Sequence, residues 1–172
     1  MIEIELEKTY LIKKLPERLA DFPNREIIDI YIPEKSNHPV LRIRKKGNLF
    51  EITKKQPIQE TDSSEQEEHT IKLSEEEFNS LAGITGKKAR KIRYDYMYEG
   101  IKAEIDVFKD DLDGLALVDF EFTSPEAKNS FKIPDFCLID VTQDKIFAGG
   151  MLCGKKYSDI EPHLNELGYV RI

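Results

Sequence analysis

The chain has 172 residues, 40% of them hydrophobic and 34% charged, which suits one sizeable core and is short for two. Its net charge of −7 argues against nucleic-acid binding by the whole surface, and no apolar run approaches the roughly 20 residues that span a bilayer. Acidic residues open the chain, unlike a secretory signal. Cys137 and Cys153 lack metal-binding spacing and read as two buried free thiols of a cytoplasmic protein, and His38, His69 and His163 are too scattered for a zinc site.

Taken in chain order, alternation dominates. In EIELEKTY, Glu3, Glu5, Glu7 and Thr9 share one face of a strand, and Ile4, Leu6, Lys8 and Tyr10 share the other. PERLADF (16–22) starts with a proline suited to a first helical position. IIDIYIP (27–33) is a strand with Asp29 and Tyr31 on one face, and VLRIRKKG another with Arg42 and Arg44 together. In NLFEITKK, Phe50, Ile52 and Lys54 alternate with Leu49, Glu51 and Thr53. Residues 56–68 are polar and irregular and read as an exposed loop, and EEHTIKLS (67–74) as a weaker strand. SEEEFNSLAG is a helix with a capping box, Ser74 with Glu77, stopping at Gly83.

Strands resume in KIRYDYMY, with Lys91, Arg93 and Asp95 on one face. IKAEIDVF follows with Lys102, Glu104 and Asp106, and LALVDFEF with Asp119 and Glu121. SPEAKNSF (124–131) reads as a helix, FCLIDVT (136–142) as a weaker strand and Gly149-Gly150 as a turn. SDIEPHLNEL (158–167) is a helix with a second capping box, Ser158 with Glu161. No repeat or linker divides the chain, so a single domain, 1–172, is expected.

The charged faces have two outcomes, bulk water or a polar lumen inside a curled sheet, and alternation alone leaves both open. Alternate carboxylates such as Glu5 and Glu7, or Asp119 and Glu121, suit Mg²⁺ or Mn²⁺, which take oxygen ligands. Arg42, Arg44, Lys54, Lys91 and Arg93 are the matching anion binders, arginine by its fork and lysine as a point charge. Together they suggest phosphoryl transfer by positioning and charge neutralisation.

These stretches also resemble a known family. EIELEKTYLI is similar to the Glu-x-Glu-x-Lys opening of the CYTH superfamily, the triphosphate tunnel metalloenzymes. LRIRKKG with ITK resembles its Arg-x-Arg strand and later lysine, and KIRY its Lys-x-Arg-Tyr strand. EIDVFKDDLDGLALVDFEF and IDVTQDKIF resemble its last two elements, and the matches run in family order over nearly the whole chain.

The resemblance implies an α+β fold, an antiparallel closed β-barrel tunnel of about eight strands with a few short flanking helices. It implies Mg²⁺- or Mn²⁺-dependent hydrolysis of inorganic triphosphate (tripolyphosphate) or a related organic triphosphate. Water would attack a terminal phosphorus, with Glu5 or Glu7 orienting it. Glu5, Glu7, Asp119 and Glu121 would be metal-side carboxylates, and Glu104 and Asp106 would help a second metal or the water. Arg42, Arg44, Lys54, Lys91, Arg93 and Lys145 would bind the triphosphate. The partner would be a triphosphate-containing small molecule, with no membrane or nucleic acid, and a homodimer is left open. A class IV adenylate cyclase-like enzyme and a non-catalytic polyphosphate- or nucleotide-binding protein are the alternatives.

Two positions depart from the family pattern. The opening lysine, which would hold or activate the nucleophile, falls on Thr9, since Lys8 lies on the opposite face. In SSEQEEHTI, Ser64 or its neighbour stands where an arginine is usual, and Glu68 fills one acidic position.

Overall fold

The computed structural model describes residues 2–59, 62–84 and 86–172, with side chains from residue 5 onward. The inward face expected for Glu3 and the loop positions Glu60 and Thr61 lie outside the described residues. The strands are β1 (Ile2–Ile12), β2 (Asn24–Ile32), β3 (Leu41–Lys46), β4 (Leu49–Gln59), β5 (Asp62–Leu73), β6 (Lys87–Tyr98), β7 (Ile101–Phe108), β8 (Ala116–Phe122) and β9 (Cys137–Asp140). The helices are short: α1 (Glu75–Ala82), α2 (Pro125–Ser130), α3 (Gly149–Leu152) and α4 (Tyr157–Glu166).

Going round the sheet, the order is β1-β8-β7-β6-β2-β3-β4-β5, and β5 returns to β1, so these strands close an antiparallel barrel. The long β1 makes closure work. Residues 2–6 pair with β5, while Tyr10 to Ile12 pair with β9, which lies beside the ring. Tight hairpins set the register. The β6–β7 turn is Glu99-Gly100 with φ of 49° and 82°, the doubly positive pair that a two-residue hairpin with right-handed strand twist requires.

Closure resolves where the apolar faces go. Outside the ring, α2 and β9 cover β1, β7 and β8 around Phe120, Phe131, Phe136, Tyr10 and Tyr98. Helix α1 lays Phe78 on Phe50, Ile43 and Ile52, and both halves of the Ser74–Glu77 capping box form. At one end of the ring the inward positions turn apolar: Leu11, Phe108 and Leu117 pack with Val141, Phe147, Leu152, Ile160 and Leu164. The C-terminal segment therefore fills that end of the barrel.

Several expectations change. Residues 56–68 are not a loop but the far half of the β4–β5 hairpin, with Lys55 opposite Glu68 and Gln56 opposite Glu67. A strand polar on both faces lacks the apolar alternation that announces a strand. PERLADF contracts to a 3-10 turn at Leu19–Asp21, framed by Pro16 and Pro23. Gly149-Gly150 starts α3 rather than making a turn. A Cβ at Gly149 would stand 2.4 Å from the Tyr31 hydroxyl, and one at Gly150 would stand 2.1 Å from the Pro39 carbonyl, so only glycine fits that approach. Helix α4 is capped two residues earlier than expected, at Lys156, with the Asp159 carboxylate accepting from the Lys156 N–H at 2.7 Å. Both cysteines are buried free thiols, and no described helix is long and apolar enough to cross a membrane.

Phe120 is fully buried among four aromatic rings. Phe120→Ala is expected to cost about 3–5 kcal/mol of stability, read as a lower urea midpoint at unchanged slope.

Candidate functional site

The barrel encloses a cavity of about 690 Å³ lined almost throughout by charged and polar side chains. Strand order divides it into two walls. The adjacent strands β1, β8 and β7 supply Glu5, Glu7, Asp119, Glu121, Glu104 and Asp106. Strands β6, β3 and β4 supply Lys91, Arg93, Arg42, Arg44 and Lys55. Lys145 lines the cavity from a 3-10 turn, Lys145–Phe147, outside the ring.

Lys54 is the exception among the expected residues. Phe50 and Ile52 point outward onto Phe78, so Lys54, two residues further on the same face, is exposed. Glu51, Thr53 and Lys55 face inward instead, and Lys55 holds the lumenal place expected of Lys54. Asp29, Tyr31, Gln66 and Lys102 also line the cavity and were not among the expected site residues. Alternation anchored on Phe50 and Ile52 carries the signal for Lys55. Ser64 turns toward α2, where Lys128 donates to its hydroxyl at 2.7 Å.

Three arginines anchor the basic wall, with unequal satisfaction. Arg44 grips Asp29 through Nε and Nη2 at 2.6 and 2.8 Å, and both residues are buried. Burial alone would raise the Asp29 carboxyl; Arg44, by charge and hydrogen bond, holds it far below the usual range. Arg93 forks onto Asp106 at 2.7 and 2.6 Å and also pairs with Glu104, while Lys91 pairs with Asp106. Burial is again outweighed, chiefly by Arg93, and both Asp106 and Glu104 are pulled down to about 2. Arg42 is the least satisfied. It reaches the Tyr31 hydroxyl at 3.2 Å and Glu68 at 3.5 Å, and its Nε is buried without a hydrogen-bond partner among the described residues.

Opposite stand the under-neutralised acids. Glu7 takes Lys55 at 2.8 Å and Gln66 at 3.1 Å, and Lys55 also pairs with Glu5. Thr9 donates its hydroxyl to Asp119 at 2.6 Å. Burial, then the neighbouring carboxylates, leave both Glu7 and Asp119 raised above ordinary carboxylate values. Glu5 Oε2 is buried, with the Lys55 ammonium against it.

The donor chemistry fits a hard divalent cation. No cluster of three or more potential ligands is drawn together among the described residues, which excludes an all-protein cage there. An ion that takes one or two carboxylates and completes its shell with water and phosphate oxygens matches Glu5 and Glu7, which share one lysine ammonium, and the raised Glu7 and Asp119.

No protein-family model matches the chain. An inorganic triphosphatase of Nitrosomonas europaea is 29% identical over 144 residues, covering 82% of this chain and 91% of that protein. A solved structure of the inorganic triphosphatase NE1496 superposes with a TM-score of 0.65 at 25% identity, over 88% of this chain and 95% of that one. The chain has the CYTH-like triphosphate-tunnel fold. A likeness of fold alone extends to the PH1012 protein of Pyrococcus horikoshii OT3, with a TM-score of 0.51 at 16% identity over 96% of this chain and 91% of that one.

The tunnel's titrating groups act with opposite signs. Glu104 and Asp106 sit below their unfolded values, near 4.3 and 3.9, so their stabilisation is complete above about pH 5 and is lost as pH falls toward 2. Glu7 and Asp119 are raised, so they favour folding at low pH and oppose it once the unfolded chain has ionised. Asp119→Asn is therefore expected to raise the unfolding midpoint at pH 7 and to lose that advantage near pH 3, measured by thermal melts at both pH values.

Proposed function

We propose that this chain hydrolyses inorganic triphosphate, or a short organic triphosphate, with the help of Mg²⁺ or Mn²⁺. The observation that carries the reading is the facing pair in the lumen. A buried, under-satisfied Arg42 stands on one wall and the under-neutralised Glu5, Glu7 and Asp119 stand on the other. The similarity to an inorganic triphosphatase supports it.

Arg42 has an uncommitted Nε, and Arg44 leaves Nη1 outside its fork with Asp29, so these two can grip phosphate oxygens. Lys91 and Lys145 add point charge along the same lumen. The Arg93 fork and Nη1 are already committed to Asp106 and Glu104, and in this reading the trio holds the wall rigid. Glu5, Glu7, Asp119 and Glu121 would hold the divalent ion, which when bound neutralises phosphate oxygens in the displacement. Glu7, kept basic by burial, or Glu5 beside it, orients a water toward the terminal phosphorus and takes its proton. The new P–O bond forms as the bond to the bridging oxygen breaks, releasing phosphate and pyrophosphate.

Thr9 fits this scheme as a positioning residue, since its hydroxyl fixes Asp119. The Thr9 departure also keeps a non-catalytic polyphosphate binder as the second reading. Phosphate release from tripolyphosphate with Mg²⁺ or Mn²⁺ separates the two. Glu5→Gln is expected to lower kcat by on the order of 10²-fold or more. Arg42→Ala is expected to raise KM by about 10- to 100-fold, the worth of a charge-assisted hydrogen bond. Binding of tripolyphosphate without metal-dependent release would overturn the hydrolase in favour of the binder.

A further inference from the structure

Lys55 is the lumenal lysine that lies against the two carboxylates of β1. It reaches from β4 past the intervening β5 to β1, where its ammonium pairs with both Glu5 and Glu7. The arginines are held by two-point forks, Arg44 on Asp29 and Arg93 on Asp106, with Arg93 reaching Glu104 as well. Lys55 is a point charge on a flexible stem. Its ammonium lies against Glu5 Oε2 and donates to Glu7 Oε1 at 2.8 Å, so one flexible cation serves both carboxylates. Its register partner on β5 is Glu68, a lumenal carboxylate that also faces Arg42.

We infer that Lys55 is a resident counter-cation that competes with the divalent metal for Glu5 and Glu7. When metal binds, Lys55 leaves the carboxylates and turns to the phosphate chain or Glu68. The inference rests on the reading that Glu5 and Glu7 hold metal. An ammonium and a divalent cation repel each other, so at one carboxylate pair each weakens the hold of the other. Polyphosphate draws Lys55 away and so favours metal binding, and metal releases Lys55 and so favours polyphosphate binding. That coupling is reciprocal by thermodynamic necessity.

The test is Mn²⁺ binding to the whole protein without phosphate, followed by the electron paramagnetic resonance of free Mn²⁺. Lys55→Met removes the competitor and should tighten binding at least about fivefold, the lower end of typical coupling between sites. Lys55→Arg puts a two-point fork on the same carboxylates and should weaken it below the native value. A merely structural lysine would weaken binding in both variants, or in neither, and either result overturns the inference. The native chain supplies a check that needs no variant. With ¹⁵N-labelled lysine, the Lys55 ammonium signal should move on addition of Mg²⁺ alone; a signal that stays fixed while Mg²⁺ binds overturns the exchange. If the native protein and Lys55→Met both fail to bind Mn²⁺ even with tripolyphosphate, the metal-dependent reading itself falls. If the native protein binds Mn²⁺ and Lys55→Met binds it no tighter, only the role of Lys55 falls.

Discussion

Closing a sheet on itself removes choice from its inner face. Every second residue from β1 to β8 must enter one lumen of about 690 Å³, and a charge placed there can be neutralised only by what the facing strands bring. The register supplies most of what is needed. Asp29 on β2 lies directly between the basic strands β6 and β3, which is why Arg44, Arg42 and Lys91 all act to lower it. Asp106 is paired across the β6–β7 ladder with Arg93. These pairs are geometric consequences of antiparallel register, and they let a barrel full of charge exist.

The balance is deliberately uneven in its effect. Where forks close, at Arg44–Asp29 and Arg93–Asp106, the carboxylates are neutralised and held in place. Elsewhere the Arg42 Nε has no partner among the described residues, Glu5 and Glu7 share one lysine, and buried Glu7 and Asp119 stay raised. Such groups lower the stability of the fold and raise the affinity for whatever completes them, the usual tension between stability and function.

Much of this was legible in the sequence, for a physical reason. Strand alternation has a period of two, so once a strand is recognised its charged residues fall on one face without further information. That logic placed Glu5 and Glu7, Arg42 and Arg44, and Glu104 and Asp106 on shared faces. It misassigned Lys54 because ITKK offers adjacent lysines, and only the packing of Phe50 and Ile52 under α1 settles which one points inward. It missed the β4–β5 extension because a strand with polar residues on both faces looks like a loop until a closed partner explains it. Asp29 was visible as a face and invisible as a partner, since the β2–β3 register that joins it to Arg44 is tertiary.

The apolar end of the lumen bears on the size of ligand the proposed reaction admits. Leu11, Phe108 and Leu117 continue the inward rows of Thr9, Asp106 and Asp119, and the C-terminal segment packs Phe147 and Leu152 onto them. A phosphate chain has nothing to gain from that surface and would strip its own hydration to cross it. The exposed Lys102 and Glu121 lie toward the other end of the same rows, where solvent reaches the charged walls. A chain entering there would meet the unsatisfied carboxylates and Arg42 and then stop at the apolar packing. A long polyanion would leave most of its length outside, against a protein of net charge −7. Barrel closure, the C-terminal packing and the outer charge thus all act against a long polyanion and suit the short ligand of the proposed reaction.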